Sequence, residues 1–414
     1  MVFGSTKHKY HTKKKIGRDQ LRQWMDTNQI RLPESFMRFL TEIGNGGAGP
    51  YYGIYDIEKA LSNTEKKALV LDCILYPGMP KTEWKAIVDP IINYNNISDD
   101  QYDSIINKIM GGMLCIGTQG CDYDMYIVLE GKYQGRVVYT ADIYEDYPFV
   151  FTYEDNFLDW YERWLDEILL GYNDSWFGYK MAGNDKELIE VYKNSTNEDV
   201  KFEALDGMLK LRKLSSTTIG FLKDLVKQKE NYEKALQLLY KYTHRYGKNY
   251  VLKMLESENE EDIQIALKVL QGFGRIKNRK RFVKVILEDL TRIQYPETLI
   301  YAGAVLERNC KMKFEYYVPF LCHTDREIRL AAINATRYMD KANNLAAVIK
   351  ILTDSDKEVV RRSLMNWGVI PDERLLSYYK AIWCDYKDDN TFADKFLESL
   401  KTLKLPEDYF DIGN

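Results

Sequence analysis

"LPESFMRFLTEIGNGGAGPYY", residues 32–52, decides how the first part of this chain folds, because it supports two incompatible readings. Gly44, Gly46 and Gly49 satisfy G-x-G-x-x-G, the spelling of a loop that cradles a dinucleotide pyrophosphate. That chemistry needs a strand, then the glycines, then a helix N-terminus, so that free N–H groups and the positive end of the helix dipole face the phosphates. The flanking residues dictate the reverse order. Phe36, Phe39, Leu40 and Ile43 recur at helical spacing, and Pro33 stands where a first turn tolerates it. Downstream, "YYGIYDI" (51–57) reads as a strand. The glycines thus follow a helix, and Gly44 with Asn45-Gly46 is expected to stop it through positive φ, which costs glycine no Cβ clash.

Outward from this stretch, residues 1–182 alternate short strand and helix signals. "MLCI" (113–116), "MYIVL" (125–129), "RVVYT" (136–140) and "PFVF" (148–151) are β-rich runs separated by glycines and an acidic turn. In "NFLDWYERWLDEIL", Phe157, Trp160, Tyr161, Trp164 and Ile168 form one aromatic stripe, read as core. Consecutive strands joined by tight turns predict an α+β domain: a twisted, mainly antiparallel sheet with helices on one side.

From about residue 183 helical periodicity takes over, and a repeat appears. Ala204-Leu205, Ala235-Leu236, Ala266-Leu267, Ala302-Gly303, Ala332-Ile333 and Ser363-Leu364 are separated by 31, 31, 36, 30 and 31 residues. Polar, acidic turns precede several of them: "STNED" (195–199), "SENEED" (257–262), "HTDRE" (323–327) and "TDSDKE" (353–358). A small residue at a fixed place in successive helices lets neighbouring pairs approach closely, so 183–414 is expected to be an all-α solenoid of stacked hairpins, roughly seven of them.

The charge divides with this grammar. Residues 1–184 carry 19 basic and 26 acidic residues, a balance of −7, and residues 185–414 carry 39 and 36, a balance of +3. Between Asp99 and Asp174 there are 16 acids against Lys108, Lys132, Arg136 and Arg163. Such a field favours cationic partners and disfavours nucleic acid there. No apolar run approaches the roughly 20 residues that span a bilayer, and the basic N-terminus lacks the apolar segment of a secretory signal. The six scattered cysteines, without C-x-x-C, read as reduced and mostly buried thiols of a cytoplasmic protein.

Two resemblances follow. "VPFLCHTDREIRLAAINATRYM" and "AAVIKILTDSDKEVVRRSLMNW" resemble HEAT repeats, with Asp325 and Arg329 matching that family's ladder, whereas Val360 stands at the Arg position of the next unit. The first half resembles the SUKH superfamily, which includes bacterial toxin-immunity proteins and a yeast cell-wall regulator. The likeness rests on "LPESFMRFLTEIGNGG" (32–47), "YGIYDI" (52–57), "MLCIGTQGCDYDMYIVL" (113–129), "GRVVYT" (135–140) and "FLDWYERWL" (157–165). Ile116, Gly117, Gly120 and Asp122 fit the family's I-G-x-x-G-x-D, and Trp84 is the candidate for its tryptophan. The resemblance implies a partner-binding role without catalysis, in which the N-G-G is a structural turn.

Chemistry-bearing motifs are sparse: there is no G-x-S-x-G, H-E-x-x-H, Walker loop or zinc-spaced Cys/His set, and no cofactor is expected. His8 and His11 are read as part of a mobile basic tail, and His244 and His323 as turn residues. Asp122 and Asp124, two apart, would share one strand face. With Glu145, Asp146, Glu154 and Asp155 they make the candidate partner-binding acids of an immunity protein that occludes a basic toxin domain, a nuclease among the candidates. The alternatives are a nucleic-acid-binding helical-repeat protein using Arg275, Lys277, Arg279, Lys280, Arg281 and Lys284, conceivably a repair enzyme, and a regulatory scaffold without a toxin.

Overall fold

The computed structural model describes residues 3–92, 97–143, 148–243, 245–274, 276, 279–387, 390–401, 404–405 and 409. The chain divides into two compact units, Met1–Ile219 and Gly220–Asn414.

In the first unit α1 (Ser5–His8), α2 (Arg18–Asn28), α3 (Glu34–Arg38), α4 (Ile57–Ser62), α5 (Lys66–Leu69), α6 (Lys81–Ile92) and α7 (Asp99–Ile109) precede an antiparallel sheet. The sheet comprises β1 (Met113–Gly120), β2 (Tyr123–Val128), β3 (Val137–Thr140) and β4 (Phe149–Phe151) in that order. Then come α8 (Phe157–Leu169), α9 (Asp185–Asn194) and α10 (Glu198–Gly207). All four expected strands form, within a residue or a few of their sequence signals.

The pleat sends alternate residues to opposite faces, and both faces are covered. Leu114, Ile116, Met125, Ile127, Val137 and Tyr139 pack with Leu21 and Trp24 of α2, Phe36 of α3 and the α8 stripe. Met113, Cys115, Tyr126, Val128, Val138 and Phe149 pack with Trp84 and Val88 of α6 and Ile109 of α7. The expectation of helices on one side only is therefore corrected. The runs 113–116, 125–129, 137–139 and 149–151 are apolar at every position, the pattern of a sheet buried twice, and Trp84 closes the second face against Phe149 at 5.4 Å between ring centroids.

The aromatic stripe of α8 is core, as its spacing demands. Phe157 meets Phe36 and Phe39 at 4.8 and 5.0 Å, and Tyr161 meets Phe39 at 4.9 Å. Such edge contacts add about 0.5–1.5 kcal/mol each beyond the area buried. On its other side α8 carries a buried ion cluster. Arg163 donates to Glu154 at 2.6 Å and Glu167 at 2.9 Å, and to the Lys180 carbonyl. The Lys210 ammonium donates to Glu167 and to the Met181 carbonyl, both at 2.6 Å. Two cations and two carboxylates balance, and together they fasten the chain near residues 154, 180 and 210 to α8. This clamp explains why packing places α9 and α10 in the first unit, although the sequence grammar changes at 182/183.

The second unit is helical. The chain enters it within α11 (Ser216–Gln228) and continues through α12 (Tyr232–Tyr242), α13 (Tyr246–Leu255), α14 (Glu260–Gln271), α15 (Arg279–Asp289), α16 (Pro296–Asn309), α17 (Val318–Leu321), α18 (Arg326–Ala335), α19 (Leu345–Leu352), α20 (Lys357–Trp367), α21 (Leu376–Tyr386) and α22 (Asn390–Leu400). Neighbours in sequence pack as pairs, and α12, α14, α16, α18 and α20 each also pack against the next of that series. Ala235, Ala266, Ala302, Ala332 and Ser363, the repeated small residues on these five helices, are all 0 % exposed. The acidic turns turn out to be N-caps. Asn259 accepts from the Glu261 N–H at 3.0 Å, Asp325 from Glu327 at 2.7 Å, and Asp356 from Glu358 at 2.9 Å, each satisfying an otherwise orphaned helix donor. Arg329 joins two of these turns, donating to the His323 and Thr324 carbonyls at 3.0 and 2.9 Å and to Asp354 at 3.1 Å.

Candidate partner-binding surface

The glycine loop comes first, because the segment it leads into lies against β1, whose far end carries the turn of Asp122. A helix does precede it: α3 runs into a π-helical turn, Phe39–Ile43, ended by the Gly44 N–H donating to the Phe39 carbonyl at 2.9 Å. Gly44 itself is extended at φ 175, so the expected left-handed stop is not there; positive φ falls on Gly46 (+83) and Gly47 (+107). The segment 51–57 is also corrected. It turns at Tyr51-Tyr52, contributes a single bridge residue, Ile54, and enters α4 at Ile57.

What the glycines permit is a crossing of backbones. A Cβ on Gly44 would lie 2.7 Å from the Thr12 Cβ, and one on Gly47 would lie 2.4 Å from the His11 carbonyl oxygen. The N-terminal segment is therefore docked, correcting the expected mobile tail. Thr12 bridges Gly47, Gly47 bridges Ile54, and the Tyr55 N–H donates to Ile116 of β1 at 2.8 Å. His8 is buried beside Trp164, 6.0 Å between rings, and Lys13 pairs with Asp56. The loop amides are consumed in this crossing: Gly46 donates to Gly44, Gly47 to Ile54 and Ala48 to His11. An anion would find none of those donors free.

At the far end of β1, Gly120 pairs with Tyr123 across a two-residue turn. A two-residue hairpin loop of this hand needs φ > 0 at both central positions and favours Asn-Gly. Here it is Cys121 at φ 50 and Asp122 at φ 64, both exposed. Most non-glycine residues pay about 1–2 kcal/mol in this region, Asp less than the others, so the tip stores strain, chiefly at Cys121, while presenting a thiol and a carboxylate to solvent. Asp122 lies in the turn and not in the strand, so the expected shared strand face with Asp124 is corrected. Asp124 is half-buried on β2, and its carboxyl is pushed above the usual range by burial, with the Asp122 charge adding to the shift against a hydrogen bond from Thr118. Neither acid forms an ion pair among the described residues.

The other candidates separate. Asp155 is exposed in the turn before α8. Glu154 is spent on Arg163, with its side chain only 9 % exposed, so it offers no carboxylate to a partner. Glu145 and Asp146 lie outside the described residues, as do Arg275, Lys277 and His244. Of the basic run, Arg279, Lys280, Arg281 and Lys284 are exposed on the first turns of α15, and Lys284 approaches Glu288 at 3.6 Å. His323 accepts the Asp325 N–H at 3.0 Å in its turn.

Sequence reasoning missed the left-handed Cys121, although Gly-Cys-Asp-Tyr between two β runs carries the length of a two-residue turn. It also missed Lys210, whose pKa burial and the nearby Arg163 charge lower to about 8 against the pull of Glu167. Nothing in a lone lysine signals such burial. All six cysteines are free, but only Cys115 is buried, with Cys121 and Cys384 exposed, so the expectation of mostly buried thiols is corrected. Among the described residues no three His, Cys, Asp or Glu side chains gather as metal ligands, and no helix is long and apolar enough to cross a membrane. No family model, curated protein or solved structure matches the chain.

Proposed function

We propose that this chain is a non-catalytic binding protein of the SUKH type, carrying a HEAT-like solenoid, that acts as an immunity protein by binding and occluding a basic toxin domain in the cytoplasm. The observation that carries the reading is the β1–β2 tip. Asp122 is held exposed in a strained turn, and Asp124 stands close enough for their charges to oppose each other, with no cation paired to either among the described residues. Strain that the rest of the fold has to offset is a feature of binding sites, and two opposed carboxylates gain most when a cation arrives. Asp155 adds a second exposed acid, and the concentration of acid from Asp99 to Asp174 supplies the long-range field that speeds encounter with a basic partner. Support for the solenoid comes from the wholly buried small residues on alternate helices and from the Arg329–Asp354 link between successive turns. The test is charge reversal: Asp122→Lys with Asp155→Lys abolishes retention of a co-encoded toxin-like polypeptide, while the thermal midpoint stays within a few degrees.

A second reading is favoured by one observation. Arg279, Lys280 and Arg281 crowd the N-terminal turn of α15, where the helix dipole disfavours cations. A phosphate backbone bound there would offset that repulsion. It predicts duplex binding with a steep salt slope, lost when Lys280 and Arg281 are neutralised; a null shift assay discards it.

A further inference from the structure

The turn that carries Asp122 is flanked by aromatic side chains left in solvent. A Cβ on Gly120, the last residue of β1, would lie 2.8 Å from the Tyr52 ring, so that ring rests against the root of the turn. Phe3 packs on Tyr52 at 5.7 Å between centroids and is itself 48 % exposed. Gln119 accepts from the Tyr179 hydroxyl at 3.1 Å, and Trp176 meets the Tyr179 ring edge-on at 5.6 Å. Trp176 is 60 % exposed, and of the seven tryptophans it is the one left outside. An aromatic side chain buries about 150–250 Å² when covered. An indole and a phenyl ring uncovered beside one turn therefore forgo a stabilisation that a partner can supply.

The face of such a ring is electrically negative and attracts cations, a guanidinium most readily because its plane also stacks. The next rings along the chain already hold a cation: the Lys59 ammonium lies 3.9 Å from the Tyr55 centroid, and the Arg163 guanidinium lies 5.2 Å from that of Phe177. Among the described residues no lysine or arginine lies over Phe3, Tyr52 or Trp176. The carboxylates are equally uncommitted. Asp122 and Asp124 form no ion pair among the described residues, and neither does Asp174, two residues before Trp176, whose buried Oδ2 also accepts no hydrogen bond. Gln119, 8 % exposed, gives its amide oxygen to Tyr179 and leaves its Nε2 without a partner, a donor that a main-chain carbonyl can satisfy. Negative ring faces and unpaired carboxylates favour the same ligand, a cation with flat apolar faces, and repel a phosphate.

We propose that Phe3, Tyr52 and Trp176 form, with Asp122 and Asp124, a seat for an arginine-bearing segment of the basic partner: its guanidinium groups stack on the rings and pair with the carboxylates. Such a seat presupposes the tip as the partner-binding surface, and adds which side chain the partner brings and which rings hold it. The acids govern how fast the segment arrives, and the rings, by excluding water around the paired charges, govern how slowly it leaves.

The experiment is fluorescence anisotropy on the full chain with a fluorescein-labelled peptide of alternating Gly and Arg, beside its Lys counterpart of equal charge. The arginine peptide is expected to bind about threefold tighter or more. Trp176→Ser weakens the arginine peptide about fivefold or more and the lysine peptide less, whereas Asp122→Asn weakens both alike. Both positions are exposed, so the thermal midpoints of the variants stay close to that of the parent. Equal binding of the two peptides by the parent, or a Trp176→Ser variant that binds the arginine peptide like the parent, overturns the aromatic seat. The tip as partner surface survives that result when Asp122→Asn still weakens both peptides. An Asp122→Asn variant that binds both like the parent overturns the tip and the seat together. Concentration-dependent self-association of the parent that Trp176→Ser abolishes also overturns the seat, because a second copy is then its occupant.

Discussion

Replacing Gly47 with alanine separates the two reasons a glycine is needed at a backbone crossing. Gly47 has φ +107, and an added Cβ would lie 2.4 Å from the His11 carbonyl oxygen and 2.8 Å from the Thr12 Cα. Gly131 has a similar φ, +88, with nothing within 4 Å of an added Cβ. Gly131→Ala therefore reports conformational strain alone, about 1–2 kcal/mol. Gly47→Ala carries that strain and also displaces the N-terminal segment, breaking the bonds from Ala48 N–H to His11 and from Lys13 N–H to Gly46. Each is worth about 0.5–1.5 kcal/mol net, so the total reaches about 2–5 kcal/mol. At roughly 2–4 °C per kcal/mol for a unit of this size, Gly47→Ala melts several degrees below Gly131→Ala. A second readout is local. Lys13, Lys14 and Lys15 have exposed side chains on a backbone held in the crossing, so trypsin cuts there slowly in the parent and in Gly131→Ala, and rapidly in Gly47→Ala. If Gly47→Ala melts with Gly131→Ala and keeps these lysines protected, the segment does not lie across the loop and the steric argument fails.

Ala266→Leu, at a wholly buried contact among α12, α14 and α16, overpacks the helical unit and costs about 1–3 kcal/mol, read as a lower urea midpoint. Glu167→Gln leaves Lys210 and Arg163 sharing Glu154 alone, and the buried cluster loses about 3–5 kcal/mol; a drop below 1 kcal/mol would show that water enters it. Burial lowers the His8 pKa below its ordinary 6.5, and its Nδ1 accepts the Tyr10 N–H at 3.1 Å. Because the unfolded imidazole binds its proton first, stability is full above pH 6.5 and falls as the pH drops toward the folded value. Tryptic release of the N-terminal segment rises over that window, and His8→Phe removes the dependence. Asp122→Gly relieves a left-handed residue, raising stability by about 1 kcal/mol, and weakens partner binding.

The sheet was legible because "MLCI", "MYIVL", "RVVYT" and "PFVF" are short, largely apolar runs separated by glycines and an acidic turn, and the strands formed on those runs. The same runs, apolar at nearly every position, already implied burial on two faces; alternation would have marked a one-sided sheet, and it is absent. The repeat at about 31 residues was legible because a buried small residue has no substitute at a close helix contact. The crossing at Gly47 was not, because tertiary proximity of Thr12 leaves no mark in a local pattern: "HKYHTKKK" looks like a solvated tail whether docked or not. Glu154 and Asp155 are neighbours of equal charge, and only the Arg163 side chain, nine residues on from Glu154 and within α8, assigns one to the interior and leaves the other outside. Cys121 and Asp122 occupy a turn that propensity assigns to Asn-Gly, and sequence rules fail most readily where a local preference is overridden for a site.

The central claim, a protein partner met by the acidic tip, is tested most directly by isothermal titration of the full chain with any toxin-like domain found co-encoded with it, at moderate salt, for the parent and for Asp122→Lys with Asp155→Lys. Stoichiometric binding by the parent, with affinity reduced at least about a hundredfold by the two reversals, is the expected result. No heat with any co-encoded polypeptide, or equal affinity for parent and variant, contradicts it.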